Sequence, residues 1–218
     1  WQDIAQNKGN LHRYRLQSKI ILSTTFFLVL LPALFYFFVE FGGMPMESRI
    51  LASFFTAVTP RTAGFNTVDF SKFSDSGIFL QTLLMLVGAA PGSTGGGMKI
   101  TTMTVLILTS VAIFRNNSRT EAFGRTIPGE VIRNATTIAF MYVCLCVLSG
   151  MFISLYENIP LLTTSFETAS AIATVGLTLG ITPKLSPLSH ALLIFLMYIG
   201  RVGGLCLIYA VFPNVIVG

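Results

Sequence analysis

Charged residues disappear from this chain for long intervals. Ile20 to Val39 and Asn134 to Tyr156 carry none, and Leu188 to Phe212 is interrupted by Arg201 alone. At about 1.5 Å of rise per residue, each is long enough as a helix to cross a hydrocarbon core about 30 Å thick. A fourth apolar stretch, Gly77 to Phe114, is longer still. As one straight helix it would span about 57 Å, nearly twice that core. Its middle accounts for the excess. Gly88-Ala-Ala-Pro-Gly-Ser-Thr-Gly-Gly-Gly-Met-Lys99 holds five glycines and a proline, a composition that breaks a helix. Irregular backbone at membrane depth persists only where protein or a water-filled cavity satisfies its polar groups. Helix, intramembrane loop and helix are therefore expected here, with the loop beside a pathway.

Two shorter stretches, Glu47 to Thr59 and Thr163 to Ala173, are too brief to cross. Each reaches about half a membrane thickness as helix. A glycine-bearing turn and then a long apolar span follow each of them. The pattern predicts an all-α integral membrane protein in which a span, a re-entrant half-helix, a loop and a span occur twice.

Sliding the chain along itself until Phe54 meets Phe166 supports a duplication. At that offset Thr56, Ala57, Thr62 and Gly64 fall on Thr168, Ala169, Thr174 and Gly176, and Gly88 and Gly92 fall on Gly200 and Gly204. Each half-helix ends in Thr-Ala-Gly-Phe or Thr-Val-Gly-Leu, where glycine permits conformations that leave carbonyls unpaired. Carbonyl and threonine oxygens of this kind can replace the hydration shell of a monovalent cation. The turns themselves carry no carboxylate, which argues against a divalent-ion cage.

The composition is that of a chain surrounded by lipid. Of the residues 53% are hydrophobic and 11% charged, against about 25% charged in soluble domains. So few charges exclude the usual cytosolic enzyme classes and a nucleic-acid-binding reading of the formal charge of +5. Charge placement sets orientation. Lys8, Arg13, Arg15, Lys19, Arg115, Arg119, Arg125 and Arg133 lie on the side of the ends and central linker. Arg49, Arg61, Lys72 and Lys184 lie on the re-entrant side. The positive-inside rule then puts both termini and the linker in the cytoplasm. With Trp1 in first place, the sequence is expected to be part of a longer chain.

Thr59-Pro-Arg-Thr-Ala-Gly-Phe-Asn66, Ala90-Pro-Gly-Ser-Thr-Gly-Gly-Gly-Met-Lys99 and Tyr198-Ile-Gly-Arg-Val-Gly-Gly204 resemble the Trk/Ktr/HKT superfamily of potassium transporters. The likeness is strongest to the third and fourth repeats of a bacterial Ktr potassium uptake membrane subunit. It implies a cytoplasmic segment over 1–18, a third-type pore repeat over 19–114, a cytoplasmic linker over 115–131 and a fourth-type repeat over 132–218. It makes Thr62, Ala63, Gly64 and Phe65 one filter strand and Thr174, Val175, Gly176 and Leu177 another. The same resemblance makes Gly88, Pro91, Gly92, Ser93, Thr94, Gly95, Gly96, Gly97 and Lys99 a gate loop, with Arg201 a barrier in the same cavity. It implies potassium uptake across the plasma membrane and no enzymatic activity or resident cofactor. K+ is the expected cargo at the filter residues, with Na+ as second candidate; a non-conducting membrane scaffold is the rival of another class. Implied partners are the missing N-terminal pore repeats, a second copy in a homodimer, a cytosolic nucleotide-binding regulatory ring and membrane lipid, but no nucleic acid.

Two further motifs fail on their residues. A phosphate-binding loop at Gly92 to Gly97 fails on spacing, since it needs Lys at 98 and Ser or Thr at 99 where Met98 and Lys99 stand. An intramembrane serine protease using Ser93 and His190 fails because the two belong to different depths. Lys99 is expected to cap helix carbonyls or to snorkel toward the cytoplasm. Arg61 either braces the neighbouring turn from behind or sits in its mouth, and Arg201 either faces a pore or pairs between helices. Asp69, Asp75, Glu157 and Glu167 are expected as solvated loop charges, and Cys144, Cys146 and Cys206 as packing residues.

Overall fold

The structure is a computed structural model that describes residues 14–203 apart from positions 94 and 118. Expectations that fall on Thr94, Gly204, Cys206 and the two ends of the chain lie outside the described residues. Helices follow in the order α1 (Leu16–Val39), α2 (Met46–Val58), α3 (Asp75–Leu86), α4 (Ile100–Phe114), α5 (Gly129–Glu157), α6 (Leu161–Ile172) and α7 (Pro187–Val202). A long helix, a short helix, an irregular turn and further helix thus occur twice in succession.

Local chemistry sets these bounds. Pro128 precedes α5, Glu130 sits in its first turn, and Asn158 ends it in the left-handed conformation (φ 55°), as helix-terminus preferences require. The helix therefore starts ahead of the apolar run, and the linker expected over 115–131 surrenders its last residues to α5. That linker also departs from an all-α fold. Glu121–Ala122 (β1) pairs antiparallel with Arg125–Thr126 (β2), because Phe123 (φ 50°) and Gly124 (φ 76°) supply the two left-handed residues of a tight hairpin turn.

One device begins the helix after each irregular turn. Ser74 and Ser186, which the offset pairs, cap α3 and α7 by accepting from the N–H of Gly77 and of Ser189. A carboxylate from the end of the preceding long helix completes each cap. Glu40 accepts from the N–H and hydroxyl of Ser74. Glu157 accepts from Ser186 N at 2.9 Å and Ser189 Oγ at 2.6 Å. Short 3-10 turns at Phe70–Lys72 and Thr182–Lys184 keep the same offset.

The core is built around α6, against which α3, α5 and α7 all pack. One buried cluster joins Phe70, Met85, Val87 and Ile100 to Tyr142, Ile153, Phe166, Ile172 and Leu196. The rings of Phe70 and Phe166 stand 6.0 Å apart across the junction of the two halves. By contrast α2 packs mainly on α1. The helices α1 and α5 are long and apolar enough to cross a membrane, yet only 22% and 28% of their most apolar windows is buried. Their outer faces present Phe26, Phe27, Leu31, Phe38, Phe140 and Leu155 to the surroundings, which suits lipid and not water.

Candidate functional site

The turns that follow the two short helices share an unusual backbone. Thr62 and Thr174 have φ of 60° and 54°, and Gly64 and Gly176 have φ of 70° and 92°. Positive φ is rare for a β-branched residue, yet both threonines adopt it at equivalent places. In each turn it alternates with an ordinary residue, Ala63 or Val175. The helix ends hold the turns in place. Ala63 N and Gly64 N both donate to Thr59 O, and Thr59 Oγ1 donates to Phe65 O at 2.5 Å. Val175 N donates to Ser170 O at 2.9 Å. The turns meet each other, since a methyl group placed on Gly64 would fall on the Val175 carbonyl oxygen. Thus the negative C-terminal ends of α2 and α6 both point into one small region rich in carbonyls.

The glycine-rich segment closes that region from one side. It leaves and rejoins the helices through a narrow neck. Gly88 N donates to Met98 O at 2.8 Å and Ile100 N to Ala89 O at 3.3 Å. Beyond the neck, Gly95 lies on Thr62 and Gly96 on Thr174. An added methyl would stand 2.6 Å from Thr62 Oγ1 in the first case and closer still to Thr174 Oγ1 in the second. Gly96 N donates to Thr174 Oγ1 at 3.1 Å. Only glycine allows such an approach by the backbone. Lys99 is found in neither expected role. Its Nζ donates to Gly95 O at 2.6 Å, tying the loop to itself. Ser93, exposed at the tip, donates to Ala90 O, while His190 Nδ1 lies 3.0 Å from Ser186 O. No hydrogen bond joins those two residues, which removes the protease geometry.

Arg201, in the last turn of α7, lines a cavity of about 620 Å³ with Thr174 to Thr178, Ser170 and Glu167. It also lies within electrostatic reach of Lys99. The helix carrying it seats on the end of α6, where Gly200 leaves no room for a methyl group against the Ile172 carbonyl. Arg61 turns away from the turns. Its Nη2 donates at 3.0 Å to Leu28 O in the middle of α1, the carbonyl left without a helical donor by Pro32. Arg61 therefore braces from behind.

Asp69 and Asp75 are exposed, as expected of solvated loop charges, whereas Glu167 is not. Glu167 is 5% exposed and accepts from Thr178 Oγ1 (2.6 Å), Leu179 N (2.9 Å) and Thr182 Oγ1 (2.8 Å). Glu157 is a helix cap. Asp69 caps a 3-10 turn, and the hydroxyl and N–H of Ser71 hold its carboxyl below the usual range. Cys144 and Cys146 are free thiols.

Residues 16–214 match the family model described as TrkH, a cation transport protein. The chain belongs to this family. Over 96% of its length it is 37% identical to the potassium/sodium uptake protein NtpJ of Enterococcus hirae, covering 48% of that protein. Over 95% it is 34% identical to Ktr system potassium uptake protein B of Bacillus subtilis, again covering 48%. The potassium transporter TrkH from Vibrio parahaemolyticus has the same fold, with a TM-score of 0.74 at 18% identity over 98% of this chain and 48% of that one. The chain spans about half the length of the curated relatives it matches. The TrkH family consists of cation transporters, and α1 and α5 are the apolar helices of a membrane protein.

Proposed function

We propose that this chain supplies two of the units lining the pore of a potassium uptake transporter. Thr62–Phe65 and Thr174–Leu177 are its two filter strands, holding K+ through backbone carbonyls and threonine oxygens. The observation that carries this reading is the contact of Gly95 and Gly96 with the two left-handed threonines. A polar backbone segment placed against both turns at once is positioned to obstruct what they conduct. Residues 88–99 are then the gate, and Arg201 adds an electrostatic barrier below the strands. A second cargo, Na+, is favoured by two features. The relative NtpJ is named for potassium and sodium uptake, and each turn here has one left-handed glycine, so few ordered carbonyl rings are available for discrimination.

The preceding pore units come from a segment N-terminal to this one. Symmetry supports this: Phe166 is fully buried by its neighbours, whereas Phe54, its counterpart in the first unit, is 45% exposed. The helix α3 of the first unit covers α6 of the second, and nothing among the described residues covers α2 in the same way. The assembled protein is a multi-pass plasma-membrane homodimer with cytoplasmic termini, controlled by a cytosolic nucleotide-binding ring. Potassium-limited growth of a transport-deficient host expressing the full-length protein tests the reading. Growth rescue is expected, and its loss on replacing Gly64 and Gly176 by serine. Uptake and selectivity unchanged by both replacements would refute the filter assignment.

A further inference from the structure

We propose that Glu167 is a charged positioning residue for cation binding at Thr174–Leu177. Its carboxylate fixes the far end of that turn and supplies a negative charge there which the first turn lacks. The proposal rests on the reading of the two turns as cation-binding strands.

Both ends of the second turn are fastened to α6. At its start, Val175 N donates to Ser170 O, and Gly176 N donates to Ser170 Oγ at 3.2 Å. Just past its end, away from the glycine-rich loop, Glu167 accepts from Thr178, Leu179 and Thr182. The turn is thus clamped at both ends onto one buried helix.

A clamp made of neutral donors does not itself require an acid. Glutamine at 167 could accept from Thr178 and Leu179 through Oε1 and donate to Thr182 Oγ1 through Nε2. Geometry alone therefore does not explain a carboxylate at a position 5% exposed, where burying charge is costly. The three donors offset that cost without cancelling the charge, and no cation lies within ion-pair distance of Glu167 among the described residues. Arg201 lines the same cavity, and within it the charge of Glu167 favours a cation in the turn that the carboxylate holds. The carboxylate does not touch it; the charge acts across the turn.

The first unit makes the contrast. The position that the offset pairs with Glu167 is Phe55. The end of that turn is held by the neutral bond from Thr59 Oγ1 to Phe65 O. Two backbones of one shape are therefore set in unequal fields, and the second binds the cation more tightly.

The test uses the full-length transporter in proteoliposomes, measuring KM and maximal rate for K+ uptake, the K+ over Na+ preference and thermal stability. Glu167→Gln keeps the contacts and removes the charge; Glu167→Asp and Thr182→Val keep the charge and disturb the contacts. Expected for Glu167→Gln is a KM for K+ raised about tenfold, with a weakened preference over Na+ and an unaltered melting temperature. A smaller rise in KM is expected for the other two. Unaltered KM and preference in Glu167→Gln would overturn the proposal, as would equal shifts in all three. Should Glu167→Gln fail to fold, a tenfold rise in KM for either charge-retaining variant would equally overturn it, and a KM kept within threefold of wild type would support it. Wild type that takes up no K+ would instead refute the transport reading itself.

Discussion

Thr62 and Thr174 carry backbone strain in their place beneath the glycine turns, since the left-handed conformation costs a β-branched residue about 1–3 kcal/mol. Gly64 and Gly176 take it freely, but their surroundings differ. A methyl group on Gly64 would strike the Val175 carbonyl, whereas one on Gly176 meets nothing within 4 Å. Gly64→Ala is therefore expected to reduce uptake and lower the melting temperature more than Gly176→Ala, measured on paired full-length variants. Arg61 allows a sharper comparison. Arg61→Met leaves the part-buried Leu28 O without a donor, a loss of about 1–3 kcal/mol. Pro32→Ala would restore the missing helical N–H. The double variant should accordingly regain part of the stability lost in Arg61→Met, as read by thermal unfolding of all four combinations. Neither partner announced the other in the sequence. Arg61 and Pro32 are far apart in the chain, and only packing α2 beside α1 brings them together.

The glycine-rich segment was legible as an interruption, because the apolar run from Gly77 to Phe114 exceeds a membrane and five glycines with a proline cannot stay helical. What it touches was not legible. Glycines at 95 and 96 serve close approach to Thr62 and Thr174, a reason composition does not reveal. Gly96→Ala is expected to push the loop off Thr174 and raise potassium flux several-fold, provided the protein folds. Removing Ser93 to Gly96 should raise it further and weaken dependence on the regulatory ring. Arg201→Ala should also raise flux, since a positive charge close to a cation in a low dielectric opposes it. Flux into proteoliposomes with and without the ring measures all three; unchanged or lower flux in folded variants would leave the segment a structural hinge. The β1–β2 hairpin escaped the hydrophobic pattern, because strands this short carry no periodicity. Its sign was the Phe-Gly turn.

Across the whole molecule, the two units have the same local devices but unequal surroundings. Phe166 lies at a buried junction with Phe70, and Phe54 lies open. Phe54→Lys should leave this segment's helical content intact and prevent its assembly with the preceding half, as read by co-purification of the two halves expressed together. Phe166→Lys should instead unfold it, because burying an unpaired ammonium in the central cluster is far costlier. If Phe54→Lys assembled as well as wild type, the open face of α2 would not be where the preceding units dock.

Local sequence sets where most of the helices run, the glycine-rich interruption and the offset that relates the halves. Each of these is written in local terms: lengths of uncharged run, glycine and proline, cap residues such as Ser74 and Ser186, and threonine two places before glycine. The apolar run from Leu188, however, expected as one span to Phe212, leaves the helix after Val202 at Gly203 (φ 86°). Tertiary structure decided which carboxylates are solvated and which are internal. Nothing near Glu167 in the chain distinguishes it from a surface acid. It becomes a buried acceptor because the turn after α6 doubles back and brings Thr178, Leu179 and Thr182 to it. Tertiary structure likewise decided that Lys99 closes its own loop and that Arg61 satisfies a carbonyl freed by a distant proline. Hydrophobic periodicity reports where backbone will run. The partners of a polar side chain depend on which segments meet in space, and those meetings are made between residues far apart in the chain.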